Sequence, residues 1–296
     1  MVHAREALGK QGARWAALVT LLGMLLVAAC TPIQAPTPAP AAEIPEITLQ
    51  ISDGAISVPE VVPGGIVEIR VENADSQPRT FNLWRIREGH TRDEITALAE
   101  RLAANPEEFF GVFDLANFIH FLDGIAPGGS DHFYADLRTG EFFVSDDTQP
   151  QLPPIFFAAN EIVGTVAPET AVTVDMADFA YVMPDSLPAG KHWWEFTNSG
   201  EQWHLAAIIK AAPDVSMEEL MAAFEFQAEP NPDGPVQVFG GKPPLSPGER
   251  VWIELKLAAG EYELVCPLPD LTSFGTGGPP MTHLDHGMRR AFSVTN

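Results

Sequence analysis

The sequence predicts an all-β protein built as two tandem Greek-key β-sandwiches, each carrying one short inserted α-helix. Three observations predict it. The body of the chain aligns with itself without gaps over two long blocks. Each block carries Pro-Gly turns followed by apolar/polar alternation, the signature of half-buried strands. A matching helix-start motif sits at the same place in both halves.

The elements follow in chain order. His3, Arg5, Lys10 and Arg14 precede the apolar run from Trp15 to Ala29, which ends at Cys30. A basic start followed by an apolar run too short for a comfortable membrane span reads as a secretory signal over residues 1–29. Val27, Ala28 and Ala29 before the cysteine resemble a bacterial lipobox. That resemblance implies a mature protein that begins at lipid-modified Cys30 and is anchored outside the cytoplasm, on the cell membrane or outer membrane. Residues 30–43, "CTPIQAPTPAPAAE", favour extended polyproline geometry and read as a stalk.

Roughly 250 residues remain, enough for two domains with real cores. Pro63 to Thr91 aligns with Pro188 to Ser216 at a constant offset, so that Asn73 meets Asn198 and Arg79 meets His204. "TRDE" from Thr91 and "SMEE" from Ser216 then place a hydroxyl three residues before a Glu, a capping box. Ile95, Leu98, Ala99 and Leu102 continue the first of these at helical spacing. Pro127 to Asp146 aligns with Pro247 to Cys266, two strands around a Gly turn in each copy. The expected domains are 44–167 and 168–296, joined near "GTVAPETAVTV".

The formal net charge of −23 argues against nucleic acid as a partner, because phosphate binding needs a basic footprint. Such acidity suits solubility and a basic protein partner. With Cys30 assigned to lipid, Cys266 is a lone thiol in an oxidising compartment. It is either buried and inert or bound to something.

The second half carries His204 at the head of a strand, Cys266 at the end of a later one, and His283 and Met288 five residues apart before the last. In that order these residues resemble the cupredoxin superfamily, the plastocyanin, pseudoazurin and azurin group of blue copper proteins. The resemblance implies a type 1 copper held by His204, Cys266 and His283, with Met288 axial. The donor set suits that metal on its own chemistry, since two imidazoles, a thiolate and a weak thioether serve both copper oxidation states. His286 rivals His283 and Met281 rivals Met288; the five-residue step favours His283 and Met288. The chain departs from small blue copper proteins in the long stretch "PLPDLTSFGTGGPPMT" between Cys266 and His283. Loop closure entropy grows slowly with length, so the insertion does not forbid ligation.

The first half cannot build this site. Arg79 stands where His204 would be and Asp146 where Cys266 would be. His90, His120 and His132 read as solvated side chains. The implied function is electron transfer by a membrane-tethered copper domain with a redox protein partner. The alternatives are a copper-free binding or structural module, and copper handling. A two-domain copper enzyme is set aside, and the chain read as no enzyme, because no His-x-His pair occurs and Val265 and Pro267 flank Cys266.

Overall fold

The computed structural model describes residues 43–102, 104–150, 152–224, 233–273 and 281–296. The expected signal segment, Cys30, the Pro-rich stalk up to residue 42 and most of "TSFGTGG" lie outside the described residues. Glu43–Asn296 forms one compact unit. Among the described residues no helix is long and apolar enough to cross a membrane.

The first sandwich begins with a hairpin of β1 (Glu46–Ser52) and β2 (Ala55–Ser57), and β1 runs parallel to β3 (Val61–Asn73). Strand β4 (Arg79–Ile86) pairs with β5 (Ala116–Ile125). Between them lie α1 (Arg92–Leu102), a 3-10 turn at Pro106–Gly111 and α2 (Val112–Leu115). Strands β6 (Ser130–Leu137), β7 (Gly140–Ser145) and β8 (Ile155–Gly164) complete the half. One face is ordered β2-β1-β3-β6 and the other β8-β7-β4-β5.

The second half repeats this plan with β9 (Val172–Ala177), β10 (Ala180–Val182), β11 (Ser186–Pro188), β12 (Gly190–Asn198) and β13 (His204–Ala211). Helix α3 (Met217–Ala222) and strands β14 (Val236–Leu245), β15 (Arg250–Leu257), β16 (Gly260–Val265) and β17 (Arg289–Thr295) follow. Its faces are β10-β9-β12-β15 and β11-β17-β16-β13-β14. The expected tandem all-β architecture with one short capped helix in each half is therefore present. The Ser216 hydroxyl accepts from the Glu219 amide while the Glu219 carboxylate accepts from the Ser216 amide. Thr91 and Glu94 make the same exchange.

Alternation decides which residues fill the sandwiches. Ile47, Leu49 and Ile51 on β1, and Val172, Val174 and Met176 on β9, point inward at every second position. A single large apolar cluster runs through both halves. Two smaller clusters lie beneath α1 and α3. One difference between the copies is local: β3 passes from one face to the other through Gly64 and Gly65, where a Cβ on Gly65 would lie 2.2 Å from the Gly164 carbonyl oxygen. In the second half the chain breaks there instead, between β11 and β12.

The halves are joined by polar groups as well as by apolar ones. Strands β6 and β15 pair antiparallel, which makes one sheet continuous across both copies. Phe118 and Ser246 exchange two hydrogen bonds of 2.8 and 2.9 Å. Trp203, immediately before β13, packs its indole on Phe113 with ring centroids 3.9 Å apart. The Glu249 carboxylate, 1% exposed, pairs with Arg85 and accepts from Asn117 Nδ2 at 2.8 Å.

His120 corrects its expected solvation. It lies on β5, 4% exposed and ring-to-ring with Phe133 at 4.5 Å. Burial, and next the Lys242 ammonium, push its pKa well below the ordinary value, so it is a neutral core residue.

Removing one partner of a buried ion pair costs more than removing both, because the survivor stays desolvated and unpaired. Glu249→Ala should therefore destabilise the protein by about 3–5 kcal/mol, read from denaturant midpoints. The Arg85→Ala/Glu249→Ala double variant should cost less than the two single variants summed.

Candidate metal centre

Three separate segments of the second half deliver the site. His204 opens β13, Cys266 follows the last residue of β16, and His283 and Met288 belong to the turn that leads into β17. Position alone buries them: His204, Cys266, His283 and Met288 are each 0% exposed.

His204 Nδ1 lies 3.0 Å from His283 Nδ1, and Cys266 Sγ lies 3.3 Å from His283 Nδ1. The three ligand atoms all fall within 4.8 Å of one another. Met288 is fixed beside them by its backbone, its amide donating to the His283 carbonyl at 2.9 Å and its carbonyl accepting from the Cys266 amide at 3.2 Å. Its side chain belongs to the same apolar cluster as Cys266. His286 does not join the cluster. Its Nε2 pairs with the buried Asp270 carboxylate at 2.9 Å, and its ring lies 4.2 Å from that of Phe179. Met281, the other rival, is 40% exposed.

Sequence reasoning missed the group that orients His204. Asp178, in the turn between β9 and β10, accepts a hydrogen bond from His204 Nε2 at 3.0 Å. The backbone amides of Glu201 and Gln202 also donate to that carboxylate, at 3.0 and 3.4 Å. Burial raises the Asp178 pKa, and these hydrogen bonds more than offset it, holding the group below its ordinary value and ionised. A proton on His204 Nε2 leaves Nδ1 as a lone pair aimed into the cluster. Gly200 makes this contact possible, since a Cβ there would sit 2.5 Å from the Asp178 oxygen and 2.8 Å from His204 Nε2. Phe179 adopts φ 60°, rare for a bulky residue, and its ring flanks His283 at 5.3 Å.

The repeat register reaches these residues when it is carried upstream. Asp53 and Gly54 occupy in the first half the places of Asp178 and Phe179, and Asp75 that of Gly200. There Arg79 pairs with Asp75 and, at 3.2 Å, with Asp146. The Leu205 amide donates to Cys266 Sγ at 3.4 Å, and its counterpart, the Thr80 amide, donates to Asp146 at 3.3 Å. One backbone frame thus holds an ion-pair cluster in one half and a His/Cys/His cluster in the other.

The donor set fits one soft-to-borderline metal ion. Burial raises the Cys266 thiol to about 11 despite hydrogen bonds from the Leu205 and Leu268 amides, so the thiol is protonated at neutral pH. Burial, and next the neighbouring His204, lower His283 to about 4. His283 Nε2 is buried without a hydrogen-bond partner. Nδ1 is therefore the ring atom that faces the other donors, and both imidazoles are neutral, as ligation requires.

No protein-family model matches the chain, and no curated protein matches it in sequence. Among solved structures the chain is similar to the dithionite-reduced auracyanin of Roseiflexus castenholzii, at 20% identity over 44% of this chain and 100% of that one, with a TM-score of 0.30. Auracyanin A of Chloroflexus aurantiacus, described as a "blue" copper protein, matches at 19% identity over 42% and 96%, with a TM-score of 0.27. The copper nitrite reductase of Nitrosomonas europaea matches at 11% identity over 86% and 95%, with a TM-score of 0.24. The cupredoxin resemblance drawn from the sequence is met among these structures. The expectation that the chain is no enzyme is corrected by the last of them.

His283 takes a proton at about pH 6.5 in the unfolded chain but only near pH 4 in the fold, and burial lowers His204 too. Between those limits protonation favours the unfolded chain. The metal-free protein should keep full stability above pH 6.5 and lose it progressively as the pH falls toward 4. His283→Gln should flatten that dependence, measured by urea unfolding at a series of pH values.

Proposed function

We propose that the protein is an extracytoplasmic, lipid-anchored cupredoxin-like protein that binds one copper ion in its second half and transfers electrons. The observation that carries the reading is the buried convergence of His204 Nδ1, His283 Nδ1 and Cys266 Sγ. Auracyanin A, itself described as a blue copper protein, supplies the parallel. The tether and compartment rest on the sequence, on the apolar run ending at Cys30 and the Pro-rich stretch after it.

In this reading His204, His283 and Cys266 hold the metal and Met288 lies beside it. Copper supplies a one-electron couple when bound. The residues around it do the remaining work. Asp178 fixes the His204 tautomer, the Leu205 amide polarises the Cys266 sulfur, and burial excludes water from all three donors. The strongly acidic chain favours a basic redox partner, recognised by charge.

Adding Cu(II) to residues 43–296 should produce an intense visible thiolate-to-copper absorption. A protein that stays colourless and retains no copper after dialysis would refute the copper reading and leave a metal-free module. Cys266→Ser should abolish the colour, and Met288→Leu should keep it with a shifted reduction potential. Because the thiol is protonated until the metal displaces its proton, copper uptake should release about one proton and tighten as the pH rises, seen by calorimetry in buffers of different ionisation enthalpy. Asp178→Asn should weaken copper binding by roughly 10- to 100-fold, measured by chelator competition, while the blue absorption persists.

A further inference from the structure

The first half contains a cavity of about 450 Å³ between α1 and the outer face of β4 and β7. Ile95, Leu98 and Val112 line it from the helical side, Trp84 and Phe143 from the sheet, and Asp147 stands at its rim. The Trp84 and Phe143 rings lie parallel, 3° apart in tilt with centroids separated by 5.8 Å, and place a stacked aromatic pair on the sheet side of the cavity.

The internal repeat gives a reason for the cavity's place in the first half. In the second half the corresponding face is covered from the chain itself. Leu284, 3% exposed, comes from the long connection between β16 and β17 and packs with Ile209, Leu220 and Val265 under α3. The first half connects β7 to β8 through Asp146 to Pro154 alone, against Cys266 to Met288 in the second. The shorter connection borders the cavity with Leu152, 41% exposed, rather than filling it as the buried Leu284 does, so the apolar face beneath α1 stays accessible.

The volume suits one small molecule and is too small for a helix of a partner. Charge selects among small molecules. Near the cavity Arg79 is shared by two carboxylates, Asp75 and Asp146, and Asp147 at the rim accepts from the uncharged Asn82 amide at 2.8 Å, its pKa raised chiefly by burial, so acidic groups outnumber basic ones there. A chain of net charge −23 adds to the repulsion of anions. We propose that this cavity is a binding site for a small aromatic molecule that is neutral or cationic. The site is independent of the copper reading and stands whether or not metal binds.

The test uses two probes that share one ring skeleton, N-phenyl-1-naphthylamine and its sulfonated relative 8-anilinonaphthalene-1-sulfonate, titrated into residues 43–296. The neutral probe should show saturable fluorescence at one equivalent, and the sulfonate should bind at least tenfold more weakly. Asp147→Asn should narrow that gap. Ala99→Trp, which places a large side chain in the cavity from α1, should weaken the neutral probe at least tenfold. Its folding is checked by its thermal midpoint. Should that variant fail to fold, Leu152→Trp at the exposed edge of the cavity serves the same purpose. The absence of saturable binding, equal affinity for the two probes, or unchanged affinity in a folded filled variant would overturn the proposal. Loss of binding when residues 31–42 are retained would also overturn it, by assigning the cavity to a segment of this chain.

Discussion

Asn198 is the side chain on which the arrangement of the candidate metal centre depends. Only 2% exposed, it donates through Nδ2 to the Gln202 and Leu245 carbonyls at 2.8 and 2.7 Å, and its Oδ1 accepts from the Gly200 amide at 2.9 Å. Three segments are tied by one amide: the end of β12, the loop that brings Gly200 beneath His204, and the end of β14. Asn73 makes the corresponding set in the first half, to the Gln77 and Ile125 carbonyls at 2.9 and 2.7 Å and from the Asp75 amide at 2.9 Å. A buried amide with every group satisfied specifies a single loop conformation, because any other leaves polar atoms desolvated and unpaired.

With the loop held in common, the two halves diverge by few side chains. Arg79 with Asp75 and Asp146 satisfies one buried charge with two others. His204 with Cys266 and His283 replaces charge by neutral donors whose lone pairs face inward, an arrangement that leaves His283 Nε2 orphaned. An unpaired buried polar atom costs on the order of 1–3 kcal/mol. The second half carries that cost together with a strained Phe179 backbone, and the surrounding sandwich core holds both. At this site one orphaned ring nitrogen and one strained backbone lie side by side.

The tandem β architecture was legible because a repeat shows itself in a single sequence. Asn73 against Asn198 and the two capping boxes are local patterns, and each maps to a local structure. The convergence of His204, Cys266 and His283 was visible in outline as ordered residue types near strand ends. Asp178 was not, since nothing in "MADFAY" signals that its carboxylate meets an imidazole on another strand. The signal was present only at second hand, in a register that extends upstream past Pro63 to pair Asp53 with Asp178. His120 was misjudged for the opposite reason: its strand shows no clean alternation that would mark an inward position, and its burial against Phe133 is set by tertiary packing.

The seam between the halves places a constraint on the centre as well. Trp203 is the residue before His204, and its ring packs on Phe113 and Phe110 of the first half. Phe113 in turn meets Trp84 at 5.5 Å. The backbone that delivers His204 is thus clamped from two sides, by Asn198 from within its own sandwich and by an aromatic run from the other. A half without metal donors still contributes to the site in this way, since it limits the movement of the segment that aims an imidazole. That role requires aromatic area and rigidity rather than chemistry, which accounts for a first half that retains the sandwich, the capped helix and the Asn73 loop while carrying an ion pair in place of ligands.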